Sequence, residues 1–74
     1  MPIYRVLGYY RDNDQVYDGD ADGDDVDAAI DGLRDAMCDT ERETLMVIAV
    51  LDDAGDNLYA GDKACPITDW EQVP

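Results

Sequence analysis

The chain has no histidine, no serine and no phenylalanine, and its 74 residues include one tryptophan, two cysteines and five bases. Each shortage closes off a class of function. Without His there is no side chain whose ordinary pKa suits proton transfer near neutrality, and without Ser the commonest hydroxyl nucleophile is missing. Arg5, Arg11, Arg34, Arg42 and Lys63 are scattered, so no basic cluster could grip an anionic substrate or a nucleic-acid backbone. No glycine-rich phosphate loop is present. Cys38 and Cys65 lack a CxxC spacing, histidine neighbours and adjacent bases, which argues against zinc and against an activated thiolate. Two cysteines are too few for a disulfide framework, and free thiols fit better than a 38–65 bridge. There is no signal peptide, no lipidation motif and no membrane-length apolar run; the longest such run is Leu45 to Leu51. Together these absences predict a soluble, cytoplasmic, non-catalytic domain with no cofactor, no bound metal and no membrane partner.

What the chain has in excess is acid. Nineteen carboxylates, sixteen of them Asp, give a net charge of −14. Residues 1–11 carry +2, residues 12–39 carry −10 and residues 40–74 carry −6. Such a surface is repelled by nucleic acid and by anionic membranes and attracted to basic proteins. The apolar fraction, 46%, lies in blocks, as in a folded domain rather than an acidic tail. A chain this short makes one domain, residues 1–74, and buries only about 60–65% of its unfolded surface, so its core is thin.

The blocks have distinct periods. Residues 3–10, rich in β-branched and aromatic types, read as a first strand, with Arg11-Asp12-Asn13-Asp14 as turn chemistry. Residues 15–17 begin a short second strand that fades into a loop over 18–23. From Asp24 to about Cys38 the apolar positions Val26, Ala29, Ile30, Leu33 and Met37 recur at helical spacing, with Asp22 as the expected N-cap. Residues 44–51 read as a buried strand, a loop follows over 52–57, and residues 58–60 return as its hairpin partner. Thr40 and Glu43 also match a capping box, which would make 41–52 a second helix instead; the β-branched residues favour the strand. Ile67, Trp70 and Val73 are expected to cover the core. The fold class is therefore α+β, one main helix on an antiparallel sheet in a ββαββ-like order. Strand alternation puts Tyr9 and Tyr10 on opposite faces, so one of them is expected outside.

On the predicted helix Asp24, Asp27, Asp31 and Asp35 lie away from the apolar stripe, and Asp18, Asp20 and Asp22 extend the row into the preceding loop. Helical steps of three and four residues advance about 4.5–6 Å, within a factor of two of the ~3.4 Å phosphate rise along one DNA strand. Like charges ~6 Å apart repel by about 0.7 kcal/mol in water, so folding alone gives little reason for such a row. In size, charge, α/β layout and Asp-rich helix the chain resembles the small acidic inhibitors of phages and mobile elements, particularly the anti-CRISPR proteins of type I systems. That resemblance implies charge mimicry of DNA. The seven aspartates would block the groove of a basic nucleic-acid-binding protein, a surveillance complex in the host cytoplasm, with no direct contact to nucleic acid; the sequence leaves the oligomeric state open and favours a monomer. Two other readings compete. Adaptation to molar salt would also select Asp over Lys, because a ~3 Å Debye length removes the repulsion. The Asp18-x-Asp20-x-Asp22-Gly23 run matches the opening of a calcium loop, which Asp24 and Asp27 could complete, although Ala29 stands where a bidentate Glu belongs.

Overall fold

The structure is a computed structural model and describes residues 2–59 and 63–72. Strand β1 (Ile3–Tyr10) pairs antiparallel with β2 (Val16–Asp22) on one side and with β3 (Leu45–Leu51) on the other. The two-residue β4 (Cys65–Pro66) adds to the far side of β3, giving the order β2-β1-β3-β4. Helix α1 (Val26–Ala36) and the one-turn helix α2 (Asp39–Thr44) connect β2 to β3, and a kinked 3-10 helix spans Ile67–Gln72. The predicted α+β architecture, one main helix over an antiparallel sheet, is the one observed.

Local chemistry explains the connections. The β1–β2 turn closes through Tyr10 N–H donating to the Gln15 carbonyl at 2.9 Å, with Asp14 in the left-handed region at φ 59. Asp tolerates that conformation because its short side chain can hydrogen-bond locally. Gly23 then brings the chain so close to α1 that a Cβ there would lie 2.5 Å from the Ala29 nitrogen. The N-cap is Asp25 rather than the expected Asp22: its carboxylate accepts from Ala28 N–H at 2.8 Å, while Asp22 is still in β2 opposite Ile3. At the other end, Arg42 on α2 donates to the carbonyls of Arg34 and Met37 at 3.0 and 2.9 Å. A cation there satisfies orphan carbonyls and complements the helix dipole.

Two further expectations need correction. The second strand does not fade after Tyr17 but runs to Asp22, because β1 offers it a ladder of seven partners from Ile3 to Tyr9. Leu58 N–H does donate to the Val50 carbonyl at 2.7 Å, but residues 58 and 59 do not continue as the strand expected beside β3. Asn57 makes a single bridge to Leu51, the Asn57 carboxamide oxygen accepts from Val50 and Tyr59 N–H, and the strand beside β3 is β4. Ala60 lies outside the described residues. The rival helix over 41–52 survives only as α2, which stops at Thr44, where the β-branched run takes over as strand. Cys38 occupies its N-cap position and makes no side-chain cap bond, so the Thr40 capping box does not form.

The core lies between the sheet and α1. Val6, Leu45, Val47, Val50, Ile30 and Ile67 are fully buried, joined by Tyr4, Ala21, Ala29, Tyr59, Cys65 and Trp70. Val26, Leu33 and Met37 complete the predicted helical stripe from half-buried positions, while Val73 lies outside the described residues. Burial of a side chain such as Ile30 contributes about 1.5–3 kcal/mol. Both cysteines are free, Cys38 exposed and Cys65 buried. Among the described residues no helix is long and apolar enough to cross a membrane.

Candidate interaction surface

Strand β2 alternates strictly. Tyr17, Gly19 and Ala21 turn toward the core, and Val16, Asp18, Asp20 and Asp22 are exposed on the outer face. With about 3.4 Å per residue, the three carboxylates recur every ~6.8 Å, two phosphate steps of a DNA strand. Asp18, Asp20 and Asp22 thus sit on a strand, not in the loop expected for them. The bent loop that a calcium site over 18–27 requires does not form, and an extended strand turns its successive acids the same way along a line instead of around a centre.

The ladder is partly engaged. Arg5, opposite Asp20 in the β1–β2 register, reaches diagonally to Asp18, donating from Nε to Oδ1 at 2.9 Å and from Nη2 to Oδ2 at 2.5 Å. This two-pronged hydrogen bond holds the Asp18 carboxyl below the usual carboxylate range and pushes the Arg5 guanidinium up, helped by the charge of Asp20. Both side chains are about half exposed, so the pair stabilises the fold only modestly.

The helix acids belong to the other layer, since α1 packs on the core face of β1 and β2. They do not form one free row. Asp27 accepts a hydrogen bond at 3.0 Å from the indole N–H of Trp70, a residue only 5% exposed. Asp31 accepts from Arg34, three residues on, and Arg34 also donates to the Ile67 carbonyl at 3.4 Å. Asp24, in the bend before α1, and Asp35 are exposed and hydrogen-bond to no other side chain among the described residues. Folding therefore gives both Asp27 and Asp31 a partner within the domain. Reaching Trp70 from Asp27 spans 43 residues, so no local pattern could have revealed it.

Of one further surface the sequence shows only the strand that bears Tyr4, Tyr9 and Tyr10, not the face it belongs to. Among the described residues no second layer packs on the outer face of the sheet. Ile3, Leu7 and Tyr9 of β1, Met46, Ala49 and Leu51 of β3 and Pro66 of β4 lie there, half-buried or exposed, and none belongs to the residues packed against the core. Ile48 joins them through a bulge: Leu7 faces Ala49 and Gly8 faces Val47, which leaves Ile48 unpaired and 47% exposed. Of the two tyrosines expected to part, Tyr9 is the outer one, while Tyr10 packs on the core, its ring T-shaped against that of Tyr17. The signal was the alternation of residues 3–9 and 16–22, which only a committed strand at 16–22 turns into a face.

A cleft of about 240 Å³ between the 11–15 turn and α2 is lined by Tyr10, Asp12, Gln15, Thr40, Glu41 and Thr44 among others. Tyr10 donates its hydroxyl proton to Glu41 at 3.1 Å; burial, then that carboxylate, pushes its pKa up to about 12. Cys38 donates to the other oxygen of Glu41 at 3.3 Å. Burial likewise pushes the Cys65 thiol up, which disfavours its thiolate. No family model, no curated protein and no solved structure matches this chain.

Proposed function

We propose that the domain is a non-catalytic binding module that occupies the nucleic-acid-binding surface of a basic protein, its carboxylates standing in for phosphates. The observation that carries this reading is the ladder Asp18, Asp20, Asp22, continued by Asp24: four acids at alternate positions along the path from β2 into α1, all exposed. A strand is a better phosphate ruler than a loop, because its repeat is fixed by backbone geometry. Asp35 adds charge on the helix layer, and Asp27 and Asp31 add to the field while engaged with Trp70 and Arg34. Carboxylates accept hydrogen bonds from Lys and Arg in the way phosphate oxygens do, and Arg takes either in two-pronged fashion, as Arg5 takes Asp18. The partner class implied by the resemblance to type I anti-CRISPR proteins, a surveillance complex acting on DNA, is part of the same proposal.

The test is capture of partners on the immobilised domain at ~0.15 M salt, followed by elution with duplex DNA. Release by DNA, with affinity falling steeply as salt rises, supports the reading. A captured partner that holds DNA and this domain together defeats it. One observation favours a second reading, adaptation to high salt: exposed acids occur on both layers, on β2, α1, α2 and in the 52–56 loop. Melting in dilute buffer separates the two. A domain built for charge mimicry is folded there and gains a few degrees in ~1 M NaCl, whereas a halophilic one unfolds below that concentration.

A further inference from the structure

We infer that the partner docks on the open outer face of the sheet rather than on α1, and that its contact surface is apolar at the centre with Lys or Arg along one margin only. The inference rests on the proposed basic partner and assigns it a place. The face is two-toned. Leu7, Tyr9, Met46, Ile48 and Leu51 make its centre and β3 side apolar, and the acids of this face all lie on β2. Arg5 offsets one of those three acids through Asp18, so the β2 margin keeps a net negative charge and the β3 margin carries none. An occupant that matches it must be basic on the β2 side and apolar elsewhere.

Charge excludes a second copy of this chain, because each copy would bring a net charge of −14 and the same acidic β2 margin. A basic partner reverses the sign of that charge term and is steered in by it. The apolar centre then gives the complex a component that salt does not weaken. Ile3 at 59%, Val16 at 80% and Ile48 at 47% exposure are large apolar side chains held in water, which an occupant of this face would cover.

The experiment titrates the whole isotopically labelled domain with two synthetic peptides of equal charge. One is an amphipathic Leu/Lys helix, and the other has Ser in place of every Leu. The Leu/Lys peptide should shift the amide signals of residues 3–9, 16–22 and 46–51 and bind at least about tenfold more tightly than the Ser/Lys peptide. The double variant Ile3→Gln/Ile48→Gln, which keeps the charge and alters only exposed positions, should lose about tenfold in affinity for the Leu/Lys peptide with an unchanged circular dichroism spectrum. Glu43→Gln, which removes one exposed charge from α2 and none from the ladder, should lose less than about twofold. Signals moving on α1 instead, equal affinity for the two peptides, or a concentration-dependent dimer closed through this face would each overturn the inference while leaving the charge-mimicry proposal standing. Failure of both peptides to bind at ~0.15 M salt would defeat that proposal and this one with it.

Discussion

Replacing Asp27 with alanine removes the acceptor from an indole N–H that is otherwise out of water, because Trp70 is 5% exposed and donates to Asp27 at 3.0 Å. Leaving a buried donor unsatisfied costs about 1–3 kcal/mol. The carboxylate also sits in the first turn of α1, where its attraction to the helix dipole is worth about 0.3–1 kcal/mol. Two effects oppose these losses. Alanine exceeds Asp in helix propensity by up to about 0.7 kcal/mol, and removing the charge relieves repulsion with Asp31, four residues on, by about 0.2–0.5 kcal/mol. The net is a loss of about 1–2 kcal/mol, set against a total stability of roughly 4–11 kcal/mol for a chain of this length.

Trp70 is the only tryptophan, so its fluorescence follows urea unfolding without interference. With a urea slope of about 1 kcal/mol per molar, the midpoint should fall by about 1–2 M. Asp35→Ala removes the same charge from the same helix but breaks no hydrogen bond. It should leave the midpoint unchanged or raise it, since a carboxylate near a helix C-terminus is disfavoured. Asp27→Asn keeps an acceptor oxygen and should fall between the two. If Asp27→Ala and Asp35→Ala shifted the midpoint equally, the assignment of Asp27 to the fold would be refuted, and it would return to the pool of acids available for binding.

The bulged β1–β3 register makes a second prediction: a Cβ on Gly8 would lie 2.1 Å from the Met46 carbonyl oxygen, so Gly8→Ala should destabilise by about 2–3 kcal/mol. Thermal melting indistinguishable from wild type would show that the register is wrong. In acid, Asp18 has its pKa depressed in the folded state by Arg5, so its contribution is intact above the ordinary carboxylate range and vanishes as pH falls through the folded value. Arg5→Gln should therefore reduce the pH dependence of stability at the acid end, and an unaltered acid limb would count against the pair. In alkali, Tyr10 is raised to about 12, so its contribution persists up to the ordinary tyrosine range near pH ~10 and is lost as pH climbs through the folded value. Tyr10→Phe should flatten that limb of a urea-midpoint profile, and an identical limb would contradict the shift.

The helix was legible because its signal is local: Val26, Ala29, Ile30, Leu33 and Met37 repeat at the pitch of the element they build, and all five contact the core. Strand β2 was half legible for an equally physical reason. Its Tyr17, Gly19 and Ala21 alternate with Asp18, Asp20 and Asp22, which is a strand pattern, but Asp and Gly are poor strand formers and the run imitates a calcium loop. What settles it is a non-local partner, the full ladder with β1 and the reach of Arg5 across to Asp18. The same non-locality hid the duties of the acids. Asp27 answers to Trp70, Asp31 to Arg34 and Asp25 to the start of α1, and each bond removes one carboxylate from those that folding leaves unexplained. Of the seven aspartates singled out from the sequence, Asp22, Asp24 and Asp35 form no side-chain hydrogen bond among the described residues, and Asp20 acts on Arg5 only through its charge. Three of these four, Asp20, Asp22 and Asp24, follow one another at alternate positions where β2 leaves the sheet. Repulsion among them goes uncompensated by any hydrogen bond among the described residues, so these three are the acids on which the proposed docking of a basic partner rests most heavily.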